Sequence, residues 1–165
     1  MSTSLLYHGF GIRGYKYVKT DYVTGGIQFT ISQDRERLSC ATCCSYDVNP
    51  RGTKIRRFRS LPIGATSVDI VYAVPRVECE NCGELRQVKF SFADPQKRYT
   101  RGFERYALGL SKSMTIKDVA RHLEVSWDLI KDIQKRNLQR KYARPKLKHL
   151  RQIAIDEIAV AKGHK

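Results

Sequence analysis

Cys40-Ala-Thr-Cys43 and Cys79-Glu-Asn-Cys82 decide how the first half of this chain folds. In each pair the spacing lets one tight turn present both sulfurs to the same metal ion, and two such turns supply the four thiolates of a tetrahedral zinc site. Four sulfur ligands leave no open position for a catalytic water, so the expected role of the metal is structural. Free thiols or two disulfides are the competing reading; a compartment that keeps thiols reduced favours the metal over disulfides. The segment between the pairs is longer than the roughly 15 to 20 residues of a compact site, so a loop or hairpin is expected to project from it. Cys44 follows the first pair directly, where a glycine would ease the turn. It is either a spare thiol or a competing ligand, and we read it as spare.

The residues around these pairs read as β structure. Tyr15 to Val23 and Ile27 to Ile31 are rich in aromatic and β-branched side chains and flank Gly25-Gly26, which predicts an N-terminal hairpin. Val68, Ile70, Tyr72 and Val74 alternate with polar or small residues ahead of the second pair, and Val88, Phe90 and Phe92 alternate after it, as strands do. Asp94-Pro95 then breaks the pattern and predicts a helical region, because Asp caps and Pro suits the first helical turn.

From Thr100 to Leu110 the apolar Phe103, Ala107 and Leu110 share one helical face, with Thr100 as cap. The following stretch, Thr115 to Ile133, reads as a helix-turn-helix: Thr115 caps, Val119, Ala120 and Leu123 are buried, Val125 fills the turn, Ser126 caps again, and Ile130 and Ile133 return to the core. Glu124 stands in the turn where glycine is usual. Ser126, Trp127, Asp128 and Asp132 would then face base edges in a major groove, and Arg121, Lys131 and Lys135 would grip phosphates. A three-helix bundle that merely packs is the alternative. For Trp127 we expect a place capping the bundle core, since large aromatics are mostly buried. Arg144-Pro145 is the expected end of the second helix.

Charge points the same way. Lys and Arg number 31 against 16 Asp and Glu, a formal charge of +15 with a pI near 9.8, which implies attraction to polyanions. The cations form two blocks: Arg51, Lys54, Arg56, Arg57 and Arg59 in the segment between the cysteine pairs, and Lys131, Lys135, Arg136, Arg140, Lys141 and Arg144 running on to Arg151. Residues 1–8 lack the pattern of a signal peptide, and no window approaches a membrane span, so the expectation is a cytoplasmic, nucleoid-associated protein with double-stranded DNA as partner and no membrane. At 165 residues with 41% hydrophobic content, the chain is long enough for two or three small units.

A basic linker, Lys146 to Arg151, leads into Gln152 to Gly163, which reads as a strand bearing Asp156. A lone strand-borne Asp-Glu is by itself an ordinary solvated edge. Read in order, however, the cysteine pairs, Arg56-Arg-Phe-Arg-Ser-Leu-Pro-Ile-Gly64, Val74-Pro-Arg-Val-Glu-Cys79, the helix-turn-helix and Ile153-Ala-Ile-Asp-Glu-Ile158 resemble the start of a bacterial insertion-sequence transposase of the ISL3 family. The resemblance implies an α+β chain: an N-terminal β-hairpin and zinc ribbon over 1–93, an all-α helix-turn-helix domain over 94–145, and over 146–165 a linker and the first strand of an incomplete ribonuclease-H-like DDE domain. It also implies that the DNA-binding part recognises terminal inverted repeats and that Asp156 is the first catalytic carboxylate. Mg2+ would be held only by an intact catalytic domain. The sequence ends a few residues after Asp156, so the expectation is a truncated transposase that is inactive alone and that pairs with a second copy or a full-length transposase. A stand-alone zinc-ribbon helix-turn-helix regulator is the alternative.

Overall fold

In the computed structural model the described residues are 5–144, so Asp156 and the strand read at 152–163 lie outside them. A short helix α1 (Leu5–His8) precedes the hairpin of β1 (Lys16–Val23) and β2 (Gly26–Ser32). Gly25 takes the positive φ of +78° that the turn requires. Gly26 does a different job from the one its neighbour suggested: it begins β2, and a Cβ there would lie 2.7 Å from Ser67 Oγ, so it permits close approach of the next strand.

That next strand is not adjacent in sequence. β3 (Val48–Arg59) and β4 (Ser67–Cys79) form a long antiparallel hairpin, and β4 inserts beside β2 in parallel register, Gly26 opposite Ser67 through Ile31 opposite Tyr72. The order is β1-β2-β4-β3, with the short β5 (Leu85–Gln87) also on β4. The segment between the cysteine pairs is therefore the body of the sheet, and the first basic block lies on β3 instead of on a loop.

Strand alternation sends Phe29 and Ile31 of β2, Phe58 of β3, and Val68, Ile70, Tyr72 and Val74 of β4 to one buried face. Leu6, Phe10, Ile12, Val88, Phe90 and Phe92 complete this core. The ring of Phe92 stands edge-on to Phe58 and to Tyr15, each with centroids 5.1 Å apart. The alternation of Val88, Phe90 and Phe92 is real, but no ladder continues past Gln87. Here the Val88 N–H still donates to Pro75 O of β4, and beyond it an extended segment buries Phe90 and Phe92 without a ladder.

A second core, from Tyr99 to Ile133, belongs to three helices: α2 (Arg101–Leu110), α3 (Ile116–His122) and α4 (Trp127–Lys141). Each starts where a hydroxyl can accept an orphan backbone N–H: Thr100 from Phe103, Thr115 from Asp118, Ser126 from Leu129. Asp94 caps nothing; its carboxylate accepts from the Arg101 guanidinium at 3.1 Å. α4 ends at Lys141, before Arg144-Pro145, where the Tyr142 N–H closes on Leu138.

Sheet and helices are joined through Arg59, the last residue of β3. Its N–H donates to Arg98 O and its carbonyl accepts from the Thr100 N–H, both at 2.9 Å, while its guanidinium donates to Leu123 O at 2.8 Å. A charge-assisted bond to a helix-terminal carbonyl of this kind contributes about 1.5–3 kcal/mol. Arg59→Ala should lower stability by that order in denaturant titration and separate the melting of the sheet from that of the helices. A single unchanged transition would show that this contact does not couple the two cores.

Candidate zinc centre and nucleic-acid interface

The two cysteine pairs form the same turn twice. Cys40 N–H donates to Ser45 O and Cys44 N–H to Cys40 O; equivalently, Cys79 N–H donates to Glu84 O and Gly83 N–H to Cys79 O. The residue after each pair is left-handed, Cys44 at φ +63° and Gly83 at φ +69°. Cys44 thus holds the backbone position that glycine fills in the second turn, and it is exposed. The sulfurs that converge are Cys40, Cys43, Cys79 and Cys82, all within 4.8 Å of one another.

These distances fit zinc. A tetrahedral ion with Zn–S bonds of about 2.3 Å has sulfur–sulfur edges of roughly 3.8 Å. The Cys40–Cys82 and Cys43–Cys79 separations are 3.6 and 3.5 Å. Backbone N–H groups of Cys43 and Thr42 hold the Cys40 thiol down, at about 6, and the Ser45 N–H lowers that of Cys43. Cys82 answers in the opposite sense: although the Glu84 N–H favours its thiolate, desolvation and the other three cysteines push it up to about 12. Crowded thiols cannot all ionise unaided, and a bound divalent cation supplies the missing charge.

In the helical region, Leu123 ends α3 and Glu124 takes φ +52°, the left-handed cap that glycine usually provides. Val125 N–H reaches back to Ala120 O and Glu124 N–H to Arg121 O, so the turn is a Schellman motif without its glycine. This turn aims α4. Ile130 and Ile133 are fully buried against α2 and α3. Residues Trp127, Lys131 and Lys135, spaced four apart, and Asp128 and Asp132 beside them, are all exposed, as are Arg121 and Ser126. The expectation that Trp127 caps the core is corrected: it is 45% exposed, because as the first residue of α4 it lies at the end of the helix on the flank of the buried stripe of Ile130 and Ile133, on the side of Lys131. The Lys131 ammonium lies 4.7 Å from its ring centroid.

The second basic block divides in two. Arg140 donates to the buried Glu104 carboxylate at 2.6 Å, and Arg136 bonds to Tyr99 and lies 3.8 Å from Glu104. These arginines lock α4 to α2 and are spent on structure, whereas Lys131 and Lys135 have no carboxylate within 4.0 Å among the described residues. Glu104 escaped the sequence reading. Its only signal was an acid on the same helix face as Phe103 and Ala107.

Family comparison adds two matches. A family described as the helix-turn-helix domain of transposase family ISL3 matches residues 88–136, and one described as the zinc-finger of transposase IS204/IS1001/IS1096/IS1165 matches residues 36–82. The transposase for insertion sequence element IS1001 of Bordetella parapertussis is 29% identical over 128 residues, which cover 78% of this chain and 32% of that relative. The chain therefore spans about a third of the length of the curated relative it matches. No solved structure matches significantly.

Cys79→Ser should abolish zinc retention and loosen the turns around 40–44 and 79–83, read by metal content and circular dichroism; full metal content in the variant would sink the ligand assignment. Gly83→Ala, where a Cβ meets no atom within 4 Å, should keep the zinc and cost about 1–2 kcal/mol through its left-handed backbone alone. Denaturant titration checks this, and an unchanged midpoint would count against the turn as drawn.

Proposed function

We propose that this chain, which belongs to the ISL3 transposase family by its zinc ribbon and helix-turn-helix, recognises the terminal inverted repeats of an insertion sequence as duplex DNA. The observation that carries this reading is the exposed face of α4, whose buried side is fixed by Ile130, Ile133, Arg136 and Arg140 while Trp127, Asp128, Lys131, Asp132 and Lys135 face solvent.

Seated in a major groove, Ser126, Trp127, Asp128 and Asp132 meet base edges; a carboxylate there accepts from the exocyclic amine of cytosine, and the Trp127 ring offers an apolar contact to a thymine methyl. Lys131, Lys135 and Arg121 pair with phosphates and set the register. Zinc, held by Cys40, Cys43, Cys79 and Cys82, keeps the ribbon folded and takes no part in chemistry.

The same reading divides the chain into a ribbon over 1–93, a DNA-binding domain over 94–145 and, over 146–165, a linker and the first strand of a ribonuclease-H-like domain. It makes Asp156 the first metal-binding carboxylate of a phosphoryl-transfer centre, where Mg2+ would supply Lewis acidity in an intact catalytic domain. Two repeats at the two ends of an element call for two DNA-binding units, so assembly with a second copy or a full-length transposase is part of the proposal, as is residence on the nucleoid.

Selection from a random duplex pool with the zinc-loaded chain should enrich one motif that matches inverted repeats flanking a related element; salt-sensitive binding without enrichment would refute specific recognition by this chain. Lys131→Ala with Lys135→Ala should weaken binding to every duplex and flatten the dependence of log K on log salt by about 0.9 per lost contact. An unaltered slope would move the DNA surface away from α4.

A further inference from the structure

A second cationic feature lies outside the helix-turn-helix. The free edge of β3 and the segment leading to α2 enclose a cleft of about 510 Å³ lined by Lys54, Arg56, Arg57 and Arg98, together with Gln87 and Gln96. No acid lines it. Several arginines elsewhere are neutralised, Arg51 by Glu78, Arg86 by Glu84, Arg101 by Asp94 and Arg140 by Glu104; what sets the cleft apart is that four cations share one cavity. Among the described residues, no carboxylate comes within 4.0 Å of Lys54, Arg56 or Arg98, and Arg57 has only Asp69 at 3.9 Å. Four like charges gathered around a single acid at 3.9 Å repel one another, and an anion placed among them relieves that repulsion.

The cleft is also ordered in advance. Arg56 stacks its guanidinium over Phe58 at 4.8 Å and Phe90 at 5.2 Å and donates to Lys97 O at 2.9 Å, so it is held in place before any ligand arrives. Loss of hydration and the neighbouring Arg98 lower its pKa, as expected for a cation lacking an anion.

We infer that this cleft grips the phosphate backbone of the same duplex that α4 reads, beyond the base pairs that α4 contacts. The inference rests on the proposed DNA-binding role. What selects duplex DNA as the occupant is continuity: β3 ends in Arg59, whose guanidinium is bonded to the turn that aims α4. At a strand rise of about 3.3 Å per residue, Lys54 to Arg57 lie roughly 7–17 Å from Arg59 along the strand. That is less than one duplex turn of about 34 Å.

The test compares the full chain with a Lys54→Ala/Arg57→Ala/Arg98→Ala variant. Arg56 is left intact because it packs on core rings. Lys16→Ala/Lys19→Ala, on β1 at the opposite edge of the sheet, controls for lost net charge. Affinity is measured against salt on a hairpin-closed duplex of about 6 base pairs, too short to extend beyond the α4 contacts, and on one of about 40 base pairs, both centred on the selected motif or, where none is selected, on arbitrary sequence at low salt, since phosphate contacts are independent of sequence. The triple variant should bind the short duplex as the parent does and lose about tenfold or more on the long one, with a slope shallower by about 2 to 3. No loss on the long duplex, equal loss on both lengths, an equal loss in the control, or a loss seen only with an RNA hairpin would each overturn the inference. Absence of an enriched motif would count against specific recognition, leaving this comparison intact. Zinc content reports folding, and Lys54→Ala/Arg98→Ala replaces the triple variant if that variant loses metal.

Discussion

Four cysteine sulfurs confined within 4.8 Å are the constraint on which the rest of this chain depends. Their crowding pulls Cys40 and Cys82 apart in proton affinity, and a divalent cation would ease the conflict by offsetting part of the charge and holding all four as thiolates. The site sits at a mechanical junction, because Cys79 is both a member of the sulfur cluster and the final residue of β4, paired with Val48 at the start of β3. Fixing the sulfurs therefore fixes the open end of the longest hairpin in the described residues. A sheet whose buried face comes largely from β2, β3 and β4 gains its register from that end.

Arg59 performs the corresponding task at the other end of β3. Its backbone pairs with the segment before α2 and its side chain with the carbonyl of Leu123, so the helix-turn-helix hangs from the strand that the zinc turns begin. The cysteine cluster and α4 are thus linked by one strand and its hydrogen bonds. Loss of zinc should be felt at α4 through β3, although no ligand touches that helix.

Local features were legible in the sequence and non-local ones were not. The caps at Thr100, Thr115 and Ser126, the buried positions of α3 and α4 and the glycine-like site at Glu124 depend on neighbours a few residues away, and each could be read from spacing. The parallel pairing of β2 with β4 could not, since it joins segments about forty residues apart and only the demand of Gly26 for a close neighbour hints at it. Phe90 and Phe92 misled because burial of alternate side chains is necessary for a half-buried strand but does not require a continuous ladder, and pairing with β4 stops after the Val88 N–H bond to Pro75 O. Trp127 misled because the frequent burial of tryptophan is a statistical tendency, while its angle around α4 is geometry.

The charge of +15 also means less, and more, than its size suggests. Periodicity cannot separate Lys135 from Arg136, yet one is exposed and the other is bound into the α2–α4 contact by Tyr99 and Glu104. Cations with carboxylate partners stabilise the fold modestly and present little field to a ligand. Lys131 and Lys135 on α4 and the cations along the cleft of β3, where only Arg57 has an acid as near as 3.9 Å, keep their charge available to a polyanion. Because both groups are tied to one strand, their spacing is set by the fold before any polyanion arrives, and under the proposed DNA-binding role a duplex that satisfies one is constrained in how it can approach the other.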